Sequence, residues 1–340
     1  MPVIRGSGGN PSRYGNFVGD VFGLRDVYEK QVENVEQNNK FASWPEQARI
    51  GYFGGGQLPT NSTIDRLEFS TEIITTPTPK LSVAKSNLAA TSSSFYGYFG
   101  GGGAGPLLFS TIDRLDFSTE SVTTPTPKLT AARTSLSATS SSFYGYFGGG
   151  LTFPPVIRRS TIDRLHFSTE TVTTPTPKLS QAKQSIAATS SSFYGYFGGG
   201  FVLTNNVSTI DRLDFSTESV TTPTPKLSTT NSTLAATSSA SYAYFGGGYV
   251  APTLISTINR LDFSTDIVTT PTPKLSQGRS NITATSNFSY GYFGGGNDAP
   301  LTNVSTIDRL DFSTETVFVP IPKLSQAKQN IAATSGGQSV

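Results

Sequence analysis

Cysteine is absent from the 340 residues, so neither a disulfide nor a thiolate metal site can hold this fold. That absence assigns no redox compartment. Histidine occurs once, at His166, whereas zinc sites usually draw on several His or Cys side chains. Charge is sparse as well: Asp, Glu, Lys and Arg make up 14% of the chain and leave a net charge of +2. With so even a balance and no long Lys/Arg run, the electrostatic footprint of a nucleic-acid binder is missing. No apolar stretch approaches a membrane span, and the opening MPVIRGSGGNPSRYG lacks the apolar region of a signal peptide. Stability must come from packing and from closure of the fold.

Glycine (34), proline (21), phenylalanine (23) and tyrosine (14) are plentiful. Disordered chains are aromatic-poor, so this composition indicates folded β-structure with many turns. The order within it is repetitive. The element Y-F-G-G-G places its Phe at Phe53, Phe99, Phe147, Phe197, Phe245 and Phe293. The element S-T-I-[DN]-R-L places its third-last polar residue at Asp65, Asp113, Asp163, Asp211, Asn259 and Asp308. A period of about 48 residues built from short β segments is a propeller signature. Paired prolines such as Pro77 and Pro79 recur, and no 3.6-residue period runs through the unit, which excludes an α-solenoid.

One unit reads as four strands: a small-residue strand Ser185 to Ser190, an aromatic strand Phe193 to Phe197, a third at Thr209 to Phe215, and a short fourth around Ser219 to Thr222. P-T-P-K-L then makes an extended crossover. Small residues suit the crowded axis, and the glycines after the aromatic strand suit a turn with positive φ. The aromatic strand comes first in the repeat region and the small-residue strand comes last. One blade should therefore be composite, with residues 50–76 supplying three strands and 329–336 the innermost. The expectation is an all-β, six-bladed propeller over 50–340. An N-terminal arm and adaptor helix would occupy 1–49.

The order of these elements resembles a kelch-type repeat, with its double glycine after the second strand and a tyrosine shortly before it. Kelch units carry a tryptophan in the fourth strand, where this chain has Ile74, Val122, Val172, Val220, Val268 and Val317. It is thus kelch-like. The fuller text YFGGG…STIDRLDFST resembles kelch-like repeat proteins of tailed phages of marine cyanobacteria, and G-L-R-D-V-Y-E-K followed by Trp44 and Pro45 resembles segments that precede such repeats. The resemblance implies a structural component of the virion, made in the host cytoplasm and associated with tail, fibre or baseplate. Its partners would be other virion proteins and a host-surface glycan or protein. A kelch-like interaction scaffold unrelated to virions is the alternative, and a carbohydrate-active enzyme a remote one.

No catalytic, metal or cofactor site is expected. His166 replaces the Asp or Glu of the other copies, and nothing singles out a nucleophile and an acid beside it. Six-fold carboxylates point to structure, because catalysis needs one asymmetric constellation. Asp and Arg of T-I-D-R-L are expected to pair with one another within and between blades as exposed ion pairs. A ring of carboxylates holding a cation near the axis is the competing reading. Binding is expected in the loop between strands two and three, which differs most among the copies and lies on the face of the crossovers. Its candidate residues are Phe109, Phe153, Arg158, Arg159, Phe201, Asn205, Asn206, Tyr249, Asn297 and Asp298. Over 22–37, the stripe Leu24, Val27, Tyr28, Val32 and Val35, followed by Trp44, is the candidate docking surface for this propeller, a neighbouring subunit or another copy in a homo-oligomer.

Overall fold

The computed structural model describes residues 48–336, apart from 58, 176, 224–225, 300 and 320–322. The expected N-terminal helix lies outside the described residues. Six four-stranded antiparallel sheets form a β-propeller. In the fourth blade the strands are Ala187–Ser190, Tyr194–Gly198, Ile210–Asp214 and Val220–Thr221. These lie inside or within one residue of the expected segments. Phe193, read as strand, instead sits in the turn before it.

The first blade is composite. Ala332–Gly336 pairs antiparallel with Ile50–Gly54, which pairs with Ile64–Glu68 and then Ile73–Thr75. Phe53 lies opposite Ala333 on one side and Asp65 on the other. The two ends of the repeat region therefore share one sheet, which leaves the ring without an open edge.

Several sets of contacts run around the ring. Nearest the axis, the residue two before each innermost strand donates its backbone N–H to the carbonyl of its counterpart in the preceding blade. Ser135 donates to Asn87 at 2.8 Å, Thr233 to Ser185 at 2.9 Å, and Asn87 to Asn330 at 2.8 Å, which closes a cycle of six bonds. All six residues are left-handed, with φ from 54° to 58°. Farther out, the strand-two Phe of each blade packs on a strand-two glycine of its neighbour. A Cβ on Gly54 would lie 2.8 Å from the Phe99 ring, and one on Gly294 would lie 2.9 Å from Phe53. That proximity explains Gly at this position. Each strand-two Tyr stacks on a Phe of the next blade, from Tyr52 on Phe117 at 5.4 Å round to Tyr292 on Phe69 at 5.0 Å. At the rim, Arg66 bonds Glu120 at 2.6 Å, Arg114 bonds Glu170 at 2.8 Å, and so round to Arg309 with Glu72 at 2.6 Å. Burial, and then the facing glutamates, push the Tyr52, Tyr98, Tyr146, Tyr244 and Tyr292 hydroxyls up from the ordinary tyrosine value.

The Asp of T-I-D-R-L departs from expectation. It does not pair with Arg copies at the surface. Asp113 is fully buried and bonds the equally buried Lys85 amine at 3.1 Å. Arg133 with Asp163, Lys183 with Asp211, Arg279 with Asp308 and Lys328 with Asp65 repeat the arrangement. The cation comes from L-[ST]-x-x-[KR] in the crossover, where no period-two strand pattern flags it. Its main chain belongs to one blade and its side chain to the next: the Lys85 carbonyl accepts the Gly56 N–H at 3.0 Å while its amine reaches Asp113. Burial pushes the Lys85, Lys183 and Lys328 amines below the ordinary lysine value, with their aspartates opposing the shift. At the one remaining junction both charges are gone together, since Asn231 stands in the cation position and Asn259 in the acid position, each 2% exposed.

Two outcomes follow from these links. Deleting residues 329–340 removes the Asn330 bond and the fourth strand of the composite blade, so the cooperative thermal transition should be lost; a sharp transition at the parent temperature would refute closure by this strand. Lys183→Asn leaves Asp211 buried and unpaired, which should cost about 3–5 kcal/mol in urea denaturation. Adding Asp211→Asn should recover much of that loss, and a double variant no more stable than the single one would contradict the pairing.

Candidate binding face

The loops between strands two and three are more ordered than the sequence suggests. In five blades they form two-stranded hairpins. Leu151–Thr152 pairs with Ile157–Arg158, Phe201–Val202 with Asn205–Asn206, and Tyr249–Val250 with Thr253–Leu254. The composite blade has a shorter loop, in which Gln57 bridges Gln329. The crossovers lie at the same ends of the blades, as the antiparallel order requires.

Neighbouring hairpins touch. The Arg158 guanidinium lies over the Phe201 ring of the next hairpin at 4.9 Å, a cation–π contact. Asn206 Nδ2 donates to the Tyr249 carbonyl at 2.7 Å, and Asn303 Nδ2 donates to the Gln57 carbonyl at 3.3 Å. Such links turn separate loops into a partial collar. Phe109, Phe153, Arg158, Arg159, Phe201, Asn206 and Asp298 are half-buried within it, while Asn205 and Tyr249 are exposed. Asn297 is a correction. It is 2% exposed, and its side-chain carbonyl accepts from Ser280 Oγ at 3.2 Å and Asn281 Nδ2 at 2.9 Å, so it holds the hairpin base and presents nothing to a partner. Leu107, Leu203 and Leu301 are the exposed apolar tips that sequence reading left out, with Leu203 at 82%. Only the hairpin turn decides which residue stands outermost, and the loop texts share no period that would mark it. The docking positions Leu24, Val27, Tyr28, Val32, Val35 and Trp44 lie outside the described residues.

The opposite face carries a feature of its own. Phe95, Phe143 and Phe193 occupy the same turn of successive blades, joined by Phe288 one position earlier in the sixth, and all are largely exposed. Ser191 Oγ accepts the N–H groups of Phe193 and Tyr194, which tightens the turn and turns the ring outward.

The axis holds a cavity of about 120 Å³, lined by the Asn87–Ala90 segment and its five counterparts. No titratable side chain lines it. The carboxylate ring considered from sequence therefore does not form at the axis, because those aspartates are buried inside the blades. Among the described residues no three His, Asp or Glu side chains gather where they could share a metal ion.

His166 ends the third strand of its blade, Ile162–His166, and faces the turn that follows. In four of the other blades an Asp caps this turn, and the composite blade has Glu68 there: Asp116 Oδ1 accepts Ser118 N–H at 2.8 Å, Ser118 Oγ at 2.6 Å and Thr119 N–H at 3.0 Å. The Ser118 hydroxyl, followed by these amides, holds the Asp116 carboxyl below the usual range, and equivalent groups do the same for Asp214 and Asp311. His166 Nδ1 meets the same Ser168 and Thr169 groups at 3.1–3.4 Å. Its role is a weaker version of that cap.

No known protein family matches this chain, and no curated protein matches it.

The His166 turn gives a check on that assignment. His166→Asp should raise stability at pH 7 by about 0.5 kcal/mol, the low end for a substitution toward the repeat consensus because solvent screens the site. An Asp whose folded pKa is depressed contributes above its unfolded value of about 4, and the gain disappears as the pH falls through the folded value. Denaturant midpoints at pH 7 and pH 3 measure both parts; a destabilised variant at pH 7 would show that His166 does something else.

Proposed function

We propose that this chain is a non-enzymatic, kelch-like component of a phage particle, located in tail, fibre or baseplate, that serves assembly or host attachment through its hairpin face. The observation that carries the reading is the contrast within the repeat. Six copies keep the core, the interblade links and the F-S-T turn nearly unchanged, while the segment between strands two and three differs in each copy and clusters on one face. A rigid ring that varies only there suits recognition. The exposed Leu107, Val156, Leu203 and Leu301 among these hairpins fit an interface. The particle assignment rests on the likeness of YFGGG…STIDRLDFST to repeats of phages of marine cyanobacteria. The absence of titratable groups from the axial cavity supports a role without catalysis. Partners on this reading are other virion proteins and a host-surface glycan or protein.

Mass spectrometry of purified particles tests the location, and finding the chain only in host lysate would overturn it. For the face, the triple variant Phe153→Ala, Arg158→Glu, Arg159→Glu should lower adsorption or assembly about tenfold, the loss expected when a small hot spot is removed. Unchanged adsorption and unchanged assembly, with an unchanged melting temperature, would reject the hairpin face as the working surface.

A further inference from the structure

The overall charge of +2 conceals a segregation that only the fold reveals. Each crossover carries one exposed lysine: Lys80, Lys128, Lys178, Lys226, Lys274 and Lys323. All six stand on the hairpin face. The following leucine fixes each one, because its N–H bonds a serine carbonyl at the start of strand three, as in Leu81 to Ser62 at 2.9 Å and Leu275 to Ser256 at 2.8 Å. Arg158 and Arg159 add to the same face, and among the described residues its one carboxylate is Asp298. Among the described residues none of the six lysines makes an ion pair, whereas every buried cation and every rim arginine of strand three does. The acids have gone elsewhere. Among the described residues five are buried against crossover cations, and the others, Asp298 apart, stand at or beside the F-S-T-[ED] turns at the opposite ends of the blades.

The surroundings of the lysines narrow the kind of anion. Lys274 lines a crevice of about 730 Å³ between the fifth and sixth blades, together with Thr270, Pro271, Thr272 and Pro273; the crevice also holds Glu315, whose charge is met by Arg260 at 2.7 Å. The text T-T-P-T-P-K recurs in five of the six crossovers. Threonine hydroxyls and flat proline faces suit the hydroxyls and C–H faces of sugar rings. Among the described residues that line the crevice none is an aromatic platform on which nucleic-acid bases stack. Six like lysines evenly placed suit a polymer with a repeated charge better than one small anion, because weak equivalent contacts add through multivalency. We propose that the crossover rim of this face binds an anionic polysaccharide, with the six lysines pairing with its carboxylate or sulfate groups. The inference rests on the reading that the hairpin face is the working surface, and it names the partner class of that face.

The test uses the full-length protein and polygalacturonate immobilised on beads, with dextran beads as the neutral control and single-stranded DNA as a competitor. The parent protein should be retained on polygalacturonate but not on dextran, and raising sodium chloride from about 0.05 M to about 0.5 M should release it, since exposed ion pairs are screened over that range. Lys80→Glu, Lys178→Glu, Lys274→Glu should bind at least about tenfold more weakly with an unchanged melting temperature, given that like charges replace three of the multivalent contacts. Phe95→Ala, Phe193→Ala on the opposite face should bind like the parent. No retention of the parent, retention insensitive to salt, equal binding by the lysine variant, or tighter binding of DNA than of polygalacturonate would each overturn the proposal. If the protein ignores polygalacturonate while the Phe153, Arg158 and Arg159 variant still weakens adsorption, the polysaccharide inference alone fails. If the lysine variant loses polygalacturonate but particles carrying it adsorb and assemble normally, the inference stands and the attachment role fails.

Discussion

The ring depends on a buried cation that belongs to two blades at once. Lys85, Arg133, Lys183, Arg279 and Lys328 each give a backbone carbonyl to the glycine turn of one blade and a side chain to the aspartate of the next. A buried ion pair gains little over an apolar replacement, yet breaking one is expensive. Such a pair therefore selects arrangement more than it adds stability: a blade docked out of register would bury an aspartate without its cation. Asn231 and Asn259 obey the same constraint from the other direction, because removing both charges leaves nothing uncompensated.

Around that link, the other contacts fill the space between blades. Phe99 over Gly54 and Tyr52 on Phe117 supply apolar contact, and the axial backbone cycle satisfies amides that an isolated blade would leave open. Closure uses the same parts as every other junction. Asp65 from one end of the repeat region meets Lys328 from the other, and Asn87 bonds Asn330. The fixed parts of the repeat are consumed by these junctions. The hairpins and the exposed crossover lysines are not, which leaves one face free to differ in shape while keeping a uniform charge.

Much of this was legible in the residues. The 48-residue period, the strand positions within it, the composite blade and the placement of loops and crossovers on one face all follow from short-range pattern and antiparallel order. The misreadings share a cause. Asp65 and its counterparts alternate as strand residues should, but their partner lies in an irregular crossover 28 to 30 residues earlier, or at the far end of the repeat region for Asp65 itself. Asn297 reads as a loop-tip amide and is buried by Ser280 and Asn281 of the preceding crossover. Phe193 reads as strand and is turned outward by a serine-capped turn. Each depends on a partner that strand alternation does not reveal, distant in sequence for the aspartates and Asn297 and two residues away for Phe193.

By itself the sequence determined the number of blades, their order and how the ends meet, because period and register are properties of the chain alone. Tertiary structure decided which charges are buried and which are displayed. Charges spaced along a chain sum to nearly nothing, but a propeller sends alternate turns to opposite faces. The crossover lysines and the turn aspartates, neighbours in composition, thus end on different sides of the ring.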